Sequence, residues 1–525
     1  MPPRPADMPL TPFAFTGTPF HQFLKRYLIV SVFGVLSVFA WVTWTSLWDQ
    51  GLYGDNVEQF IWSQSMALGY HKHPPLPTWI LGLATAFAGP HWWLTNVLAA
   101  MCTAATGLLT WLIARRLFGE RTANIAIVLW SLQQCFSVSA EIYNHNTVLV
   151  LCLAGMTYTV LRALSAKTNT LWWLASGGLA GGAMLSKYQA ALPFISLLIV
   201  IFAVKRSSAA YMAGRLALAF TMFLLVFSPH LYWGISNNFP SLRYASGALE
   251  SSGFAHRISW VLTFVVNQIR MVLPLLLTIA LSICFIAISR QKSKHKPSLQ
   301  SSPQPSPIPV AQATSPCTSP QEASVWMWGL IWGPVLLVVV LSLISGSELR
   351  NHWGVQLFQF LSLGLAWRWK HRPFFRLRNL MAAALVIHSA GFIYYALKQS
   401  NPQAALTDRR ADSAYPAQRM SDAAVAHWRR ASHCPLRFVT GDFEAGLVSV
   451  FSAEHPIVFT NPIASPWVSE SDLAQYGSLY VFNQNTALPP DVTLIKQWHL
   501  SSLAVENNKY VQFAVKLPAK ACTGA

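Results

Sequence analysis

Two carboxylates three residues apart, Asp55 and Glu58, stand near the start of the stretch "LYGDNVEQFIWSQSMALGYHKHPPLPTW" (Leu52–Trp79), and His71, Lys72, His73 and the pair Pro74–Pro75 stand near its end. On a helix, that spacing puts both carboxylates on one face. The segment 56–68 reads as an amphipathic helix lying at a membrane surface, with the proline pair ending the polar run and re-aiming the chain into the apolar "LPTWILGLATAF". Two readings stay open on these residues alone: a solvated acidic face, or an acid–base centre, since a carboxylate beside a bilayer is costly unless paired or functional. His71, His73, Asp55 and Glu58 are also metal-ligand types, but no fixed spacing supports a metal site.

The elements that must position these groups follow from composition. Hydrophobic residues make up 53% of 525, charged ones only 11%, and there are 22 Trp and 30 Phe. A soluble globule of this composition could not cover its surface with polar groups, so the chain is an integral membrane protein. The excess of 37 Lys and Arg over 19 Asp and Glu falls in short groups between apolar runs and not on one face, which excludes a nucleic-acid binder and makes the charge topological information. Apolar runs long enough to span the hydrocarbon lie near 27–48, 92–114, 122–139, 147–164, 211–230, 271–289, 326–345, 352–369 and 379–397. The region 171–204 is too long for one crossing and is broken by "SKYQ" (Ser186–Gln189), so it reads as two short helices. The expected fold is a polytopic α-helical membrane protein of about 11 to 13 helices, with a small C-terminal α/β domain.

Lys25–Arg26, Arg115–Arg116, Arg162 with Lys167, Lys205–Arg206, 290–296 and 368–378 fall on alternate loops. Positive-inside bias therefore places the N-terminus and those loops in the cytoplasm and the C-terminus outside. The expected division is a disordered N-terminus (1–26), a transmembrane module (27–290) with outer loops 49–91 and 231–270, a flexible Ser/Pro/Gln-rich cytoplasmic linker (291–325), further transmembrane helices (326–397) and an exported domain (398–525). The first apolar run reads as a retained anchor. β-like runs begin at Arg437, Pro456, Ser478 and Tyr510. Of seven Cys, Cys434 and Cys522 bracket the exported domain and are the pair proposed as a disulfide; Cys102, Cys135, Cys152 and Cys284 in apolar runs and Cys317 in the linker read as small buried or idle residues.

"GDNVEQFIWSQSMALGYHKHPPLPTWILGLATAFAG", followed by "GGLAGGAMLSKYQAALPF" and "SPHLYWGISNNFPSLRYA", resembles the membrane glycosyltransferases of family 39, of GT-C fold, which hold protein O-mannosyltransferases and the lipid A aminoarabinose transferase. The likeness covers nearly all of the membrane part and, more weakly, the outer tail. It implies an inverting transfer of a sugar from a polyprenyl-phosphate carrier to a lipid, glycan or protein hydroxyl on the outer face, with membrane lipids as surroundings. Such a reaction needs a carboxylate to accept the hydroxyl proton and cations to hold the phosphate. The resemblance implies Asp55 as base, with Glu58 beside it. It implies Lys187, at the outer end of the two short helices, for the phosphate; the alternative is a snorkelling Lys. Gly177, Gly178, Gly181 and Gly182 let helices approach closely there. His73 could contact phosphate or cap the turn. Arg243, Arg257 and Arg270, in or near the second outer loop, are further candidates.

The sequence departs from the family pattern at Asn56, where an acid often follows the Asp, and at Lys72, where an Asp often stands before His-Pro-Pro. The second acidic motif is replaced by "EIYNHNT", leaving Glu141 and Asn144 as candidates there, with Glu348 in a later outer segment. No cofactor is certain from this reading; a divalent metal ion, which some relatives use, stays open, although no fixed spacing of the ligand types supports a site. The competing class is a polytopic lipid or small-molecule transporter or flippase, which should show two-fold internal repeats; the sequence has no such symmetry.

Overall fold

The computed structural model describes residues 27–165, 170–204, 209–246, 254–294, 319–346, 348–400, 412–483, 490–500 and 510–519. Its membrane part begins with α1 (Tyr27–Trp48), α2 (Gly54–Ser63), α3 (Leu76–Ala88), α4 (Trp93–Phe118), α5 (Glu120–Trp130), α6 (His145–Ser165), α7 (Thr170–Ser186), α8 (Ala191–Val204) and α9 (Ala209–Ser236). It continues with α10 (Pro240–Ser246), α11 (Phe254–Met271), α12 (Leu273–Lys294), α13 (Pro320–Ser345), α14 (Leu361–Trp369) and α15 (Leu377–Gln399). Among the described residues, α1, α4, α6, α9, α12, α13 and α15 are long and apolar enough to cross a membrane. The chain is a polytopic helical membrane protein with a small C-terminal sheet domain.

The break at "SKYQ" is where the sequence places it. α7 stops at Ser186, Lys187 is extended (φ −165°), and one 3-10 turn, Tyr188–Ala190, leads into α8. The glycines of α7 have separate jobs. A Cβ at Gly177 would lie 2.0 Å from the Ala219 carbonyl oxygen, and one at Gly181 would lie 2.7 Å from Val226 Cβ, so these two seat α7 against α9. Gly178 has room for an ordinary contact, whereas a Cβ at Gly182 would press on Cys152 Sγ at 3.3 Å.

Three expectations need correction. The apolar run 122–139 is helical only to Trp130; Gln133, Gln134 and Ser137 carry the chain through turns instead. The run 352–369 is helical only in short pieces until α14, broken at Phe358–Phe360 around the buried Gln359. Hydropathy averages across such breaks, which a membrane protein tolerates where they are enclosed by protein. The segment 231–270, read as an outer loop, is largely helical, comprising the end of α9, then α10 and α11.

The C-terminal domain has helices α16 (Ala417–Ala431), α17 (Phe443–Phe451) and α18 (Glu470–Tyr476) around strands β1 (Phe438–Gly441), β2 (Ile457–Phe459), β3 (Ser478–Asn483), β4 (Thr493–His499) and β5 (Tyr510–Lys516). The strand order is β2-β1-β3-β5-β4. β1 pairs parallel with β2 and β3, whereas β5 pairs antiparallel with β3 and β4. Four of these strands lie on the runs read from sequence. β4 does not, because its exposed pattern lacks a buried face. Cys434 is disulfide-bonded; Cys522, its proposed partner, lies outside the described residues, as do Cys317 and the segment 1–26.

This domain sits on α2. Gly446 of α17 is so close that a Cβ there would meet Val57 Cγ1 at 2.3 Å. Gln64 donates to Ser449 Oγ (2.9 Å) and accepts from the Val458 amide (2.9 Å). The helix expected to lie at the membrane surface over 56–68 therefore ends at Ser63, with Val57, Phe60, Ile61 and Trp62 buried.

Candidate functional site

α2 carries both Asp55 and Glu58, and its start is held from outside. Tyr53 supplies no side-chain cap; instead Asp412 Oδ2 accepts the Gly54 amide at 3.0 Å. Gln50 and Gly51 donate to the Ser413 carbonyl at 2.8 and 3.1 Å, bracing the turn that leads into Asp55.

Asp55 Oδ2 accepts from Asn144 Nδ2 at 2.6 Å. Asn144 Oδ1 in turn accepts the amides of Asn146 (2.8 Å) and Thr147 (3.2 Å), an Asx turn that starts α6. Asn146 Oδ1 then accepts Lys187 Nζ at 2.8 Å. One polar chain thus runs from the Asp55 carboxylate through two asparagines to the Lys187 ammonium. Lys187 is 6% exposed, so its charge is not the idle end of a snorkelling side chain. His145 Nε2 lies 3.2 Å from Asn146 Nδ2, and the His73 and His145 rings lie 3.8 Å apart, centroid to centroid. His352 reaches the same cluster, 6.4 Å from His145. Burial first, then Lys187, holds the imidazoles of His73 and His352 well below their ordinary range, that of His352 at about 3. Both are neutral near pH 7, able to donate one hydrogen bond and accept another.

Glu58 faces a different neighbour. Its Oε1 accepts Lys72 Nζ at 2.6 Å, which accounts for the cation where the family pattern has an acid. Burial pushes the Glu58 carboxyl up to about 7, with Lys72 acting against it and Asp55 and Asp442 adding to it. A carboxyl held above its unfolded value binds its proton more tightly in the folded state, so its contribution to stability is full below the unfolded value and fades as pH rises towards 7. Glu58→Gln should therefore gain thermal stability relative to the parent as pH rises from 5 to 8. A stability difference that stays flat across that range would contradict this environment.

Asn56 explains the other departure. It is 1% exposed and holds two loops together. Its Nδ2 lies 3.2 Å from both Thr95 Oγ1 and the Glu141 carbonyl, while its Oδ1 accepts the Tyr143 amide at 2.9 Å. An amide can donate and accept at once, as an ionised carboxylate cannot. Asn56→Leu should cost about 1–3 kcal/mol for each partner left buried and unpaired, read as a lower melting temperature in detergent.

The remaining candidates divide. Glu141 is buried, within electrostatic range of Tyr395. Glu348 is exposed. Arg257 donates to the Leu343 (2.8 Å) and Ile344 (3.1 Å) carbonyls, closing the end of α13. Arg270 is exposed and bonds Asn267 on its own helix. Arg243 lines a cleft beside His71. Asp412, His145, Asn146 and His352 were not singled out from sequence; the density of polar residues in "EIYNHNT" and "ELRNHW" hinted at the last three, and nothing hinted at Asp412. Among the described residues, no group of three or more His, Cys, Asp or Glu side chains is placed to hold a metal ion.

The family model described as dolichyl-phosphate-mannose-protein mannosyltransferase matches residues 72–233. The lipopolysaccharide core galacturonosyltransferase RgtB of Rhizobium johnstonii is 26% identical over 183 residues, which are 34% of this chain and 36% of that protein. The match thus spans little more than a third of that relative. The crystal structure of ArnT from Cupriavidus metallidurans bound to undecaprenyl phosphate superimposes with a TM-score of 0.55 at 14% identity, covering 97% of this chain and 100% of the other. The apo state of ArnT gives a TM-score of 0.50, also at 14% identity, over 96% and 99%. The fold of ArnT is shared along the chain, and the family model covers the segment that carries Lys72, His73, Asn144, Asn146 and Lys187: this is a polytopic membrane protein with the ArnT fold, similar over that segment to the dolichyl-phosphate-mannose-protein mannosyltransferases.

Proposed function

We propose that this chain is an inverting glycosyltransferase that moves a sugar from a polyprenyl-phosphate donor to a hydroxyl of a lipid, glycan or protein on the periplasmic face of the inner membrane. The observation that carries this reading is the continuous polar chain from Asp55 through Asn144 and Asn146 to Lys187. It supports the reading by joining a carboxylate to a buried cation. The acceptor oxygen attacks the anomeric carbon as its proton passes to the Asp55 carboxylate. The bond from the anomeric carbon to the phosphate oxygen breaks with its electron pair on the phosphate. The Lys187 ammonium offsets the charge that develops there, and the His73 ring, packed on His145, can donate to a phosphate oxygen. Asn144, donating to Asp55, keeps the carboxylate aimed. Attack from the face opposite the phosphate inverts the anomeric centre.

Two further features support the reading. An apolar cavity of about 620 Å³ among α6, α7, α8 and α9, with Trp173, Phe194, Ile201 and Phe220 in its walls, suits a prenyl chain. ArnT, which shares the fold, was crystallised with undecaprenyl phosphate. The test is purified protein in nanodiscs given labelled polyprenyl-phosphate sugars with lipopolysaccharide as acceptor. Release of free polyprenyl phosphate, coupled to labelled acceptor, is expected. Movement of intact donor across a bilayer without cleavage would contradict transfer and favour a flippase.

A further inference from the structure

The C-terminal domain does more than cover α2. Its segment 462–467 closes over Gly69–His71 and the α9–α10 junction, enclosing a cleft of about 490 Å³ walled by Tyr70, His71, Trp233, Arg243, Tyr244 and Trp467. The wall is aromatic and stiff. Tyr70 stacks on Trp62 at 5.1 Å with an angle of 6° between planes, and Trp467 stands edge-on to Tyr70 at 6.3 Å. Tyr70 also donates its hydroxyl to the Ser65 carbonyl, which fixes its ring.

Two ring nitrogens in this wall, His71 Nδ1 and Trp467 Nε1, are buried without a hydrogen-bond partner among the described residues. Leaving such groups unpaired is costly, and here both belong to one cleft. Burial, reinforced by Lys72, holds the His71 imidazole down at about 4, so it is neutral and has one nitrogen free to accept. A slight tilt of either ring presents its nitrogen to a ligand hydroxyl. Aromatic faces with polar ring edges suit the alternating apolar and hydroxyl faces of a sugar ring. Arg243, whose guanidinium is a fixed fork of donors, adds selectivity for a phosphate or carboxylate.

The cleft also adjoins the reacting groups. His71 is followed by Lys72, which pairs with Glu58 at 2.6 Å and lies 6.0 Å from the Tyr244 ring centre. Next comes His73, packed on His145. Two residues of chain, about 7 Å when extended, separate the cleft wall from the cluster around Lys187.

From these juxtapositions we infer that the cleft between the C-terminal domain and α9–α10 binds the acceptor, a saccharide carrying a phosphate or carboxylate, through His71, Trp467 and Arg243. This rests on the glycosyl-transfer reading and adds to it the chemistry of the acceptor. Lys72, the residue after the cleft wall, pairs with Glu58 on the helix that carries Asp55, so a saccharide whose anionic group is held at Arg243 sits beside the helix of the proposed base.

The test uses full-length protein in nanodiscs and isothermal titration with deacylated lipopolysaccharide core oligosaccharide. The same oligosaccharide with its phosphates removed and carboxyls reduced is a second probe, and intact lipopolysaccharide is a third. Arg243→Ala should weaken the anionic oligosaccharide about ten- to hundredfold, the worth of a charged hydrogen bond, and leave the neutralised one unchanged. Trp467→Ala should weaken both. Undecaprenyl phosphate should bind both variants as it binds the parent. Equal binding of the deacylated and intact forms would show that the sugar alone is read; binding of the intact form only would place the determinant in its lipid anchor and overturn the inference. So would oligosaccharide affinity unchanged in both variants, no binding by the parent, or loss of undecaprenyl phosphate binding in Arg243→Ala. If donor cleavage is absent yet Arg243→Ala and Trp467→Ala still weaken the oligosaccharide, the cleft stands and transfer falls. If cleavage proceeds with unchanged acceptor dependence in both variants, transfer stands and the cleft falls.

Discussion

Asp55→Asn should lower turnover about 10²- to 10⁴-fold, the usual range for loss of a general base. The amide keeps the shape of the carboxylate, so α2 and its Asp412 contact at Gly54 should survive. What is lost is the ability to take the acceptor proton. An amide facing the Asn144 amide, now at 2.6 Å from Asp55 Oδ2, can still pair by presenting its own oxygen. The defect is therefore expected in kcat, with little change in KM for donor. Glu58 provides a built-in contrast, because its carboxyl is neighbour to the same helix face but is engaged by Lys72 at 2.6 Å. If Asp55→Asn turns over at the parental rate while Glu58→Gln does not, the base is Glu58.

Lys187→Met should lower turnover roughly 10²- to 10³-fold, the scale of removing one group aimed at developing charge. The thioether stem fills the space of the buried side chain, leaving Asn146 Oδ1 as the group that loses its 2.8 Å partner. Unlike the Asp55 variant, it should also bind donor more weakly, since the phosphate is charged in the ground state and more so as the glycosidic bond breaks. A kcat defect with unchanged donor affinity would move the phosphate elsewhere, with Arg350, which interacts electrostatically with Lys187, the first place to look.

Much of this arrangement was legible because it rests on local rules. Alternation of apolar runs and basic clusters gave the helical membrane fold, and the break at Ser186–Gln189 interrupted a hydrophobic run too long for one crossing. The i, i+3 spacing of Asp55 and Glu58 does put both on one helix. What stayed hidden depends on contacts between distant segments. Asp412 lies 358 residues from Gly54, and nothing near it in sequence marks a helix cap. Nor does any local pattern show that Asn56 bridges two loops instead of replacing a catalytic acid. Hydropathy also overstated the helices at 122–139 and 352–369, since it cannot tell a lipid-facing run from a broken one enclosed by protein. The burial of α2 beneath α17 has the same cause: an amphipathic pattern predicts a covered apolar face but not whether lipid or a folded domain covers it.

The division of labour between Asp55 and Lys187 is the centre of the account, and equilibrium binding of undecaprenyl phosphate to the two variants in nanodiscs tests it most directly. Asp55→Asn should bind within about threefold of the parent, and Lys187→Met at least about tenfold more weakly, a gap of roughly 1.4 kcal/mol. Parental affinity in both variants, or equal loss in both, would contradict it.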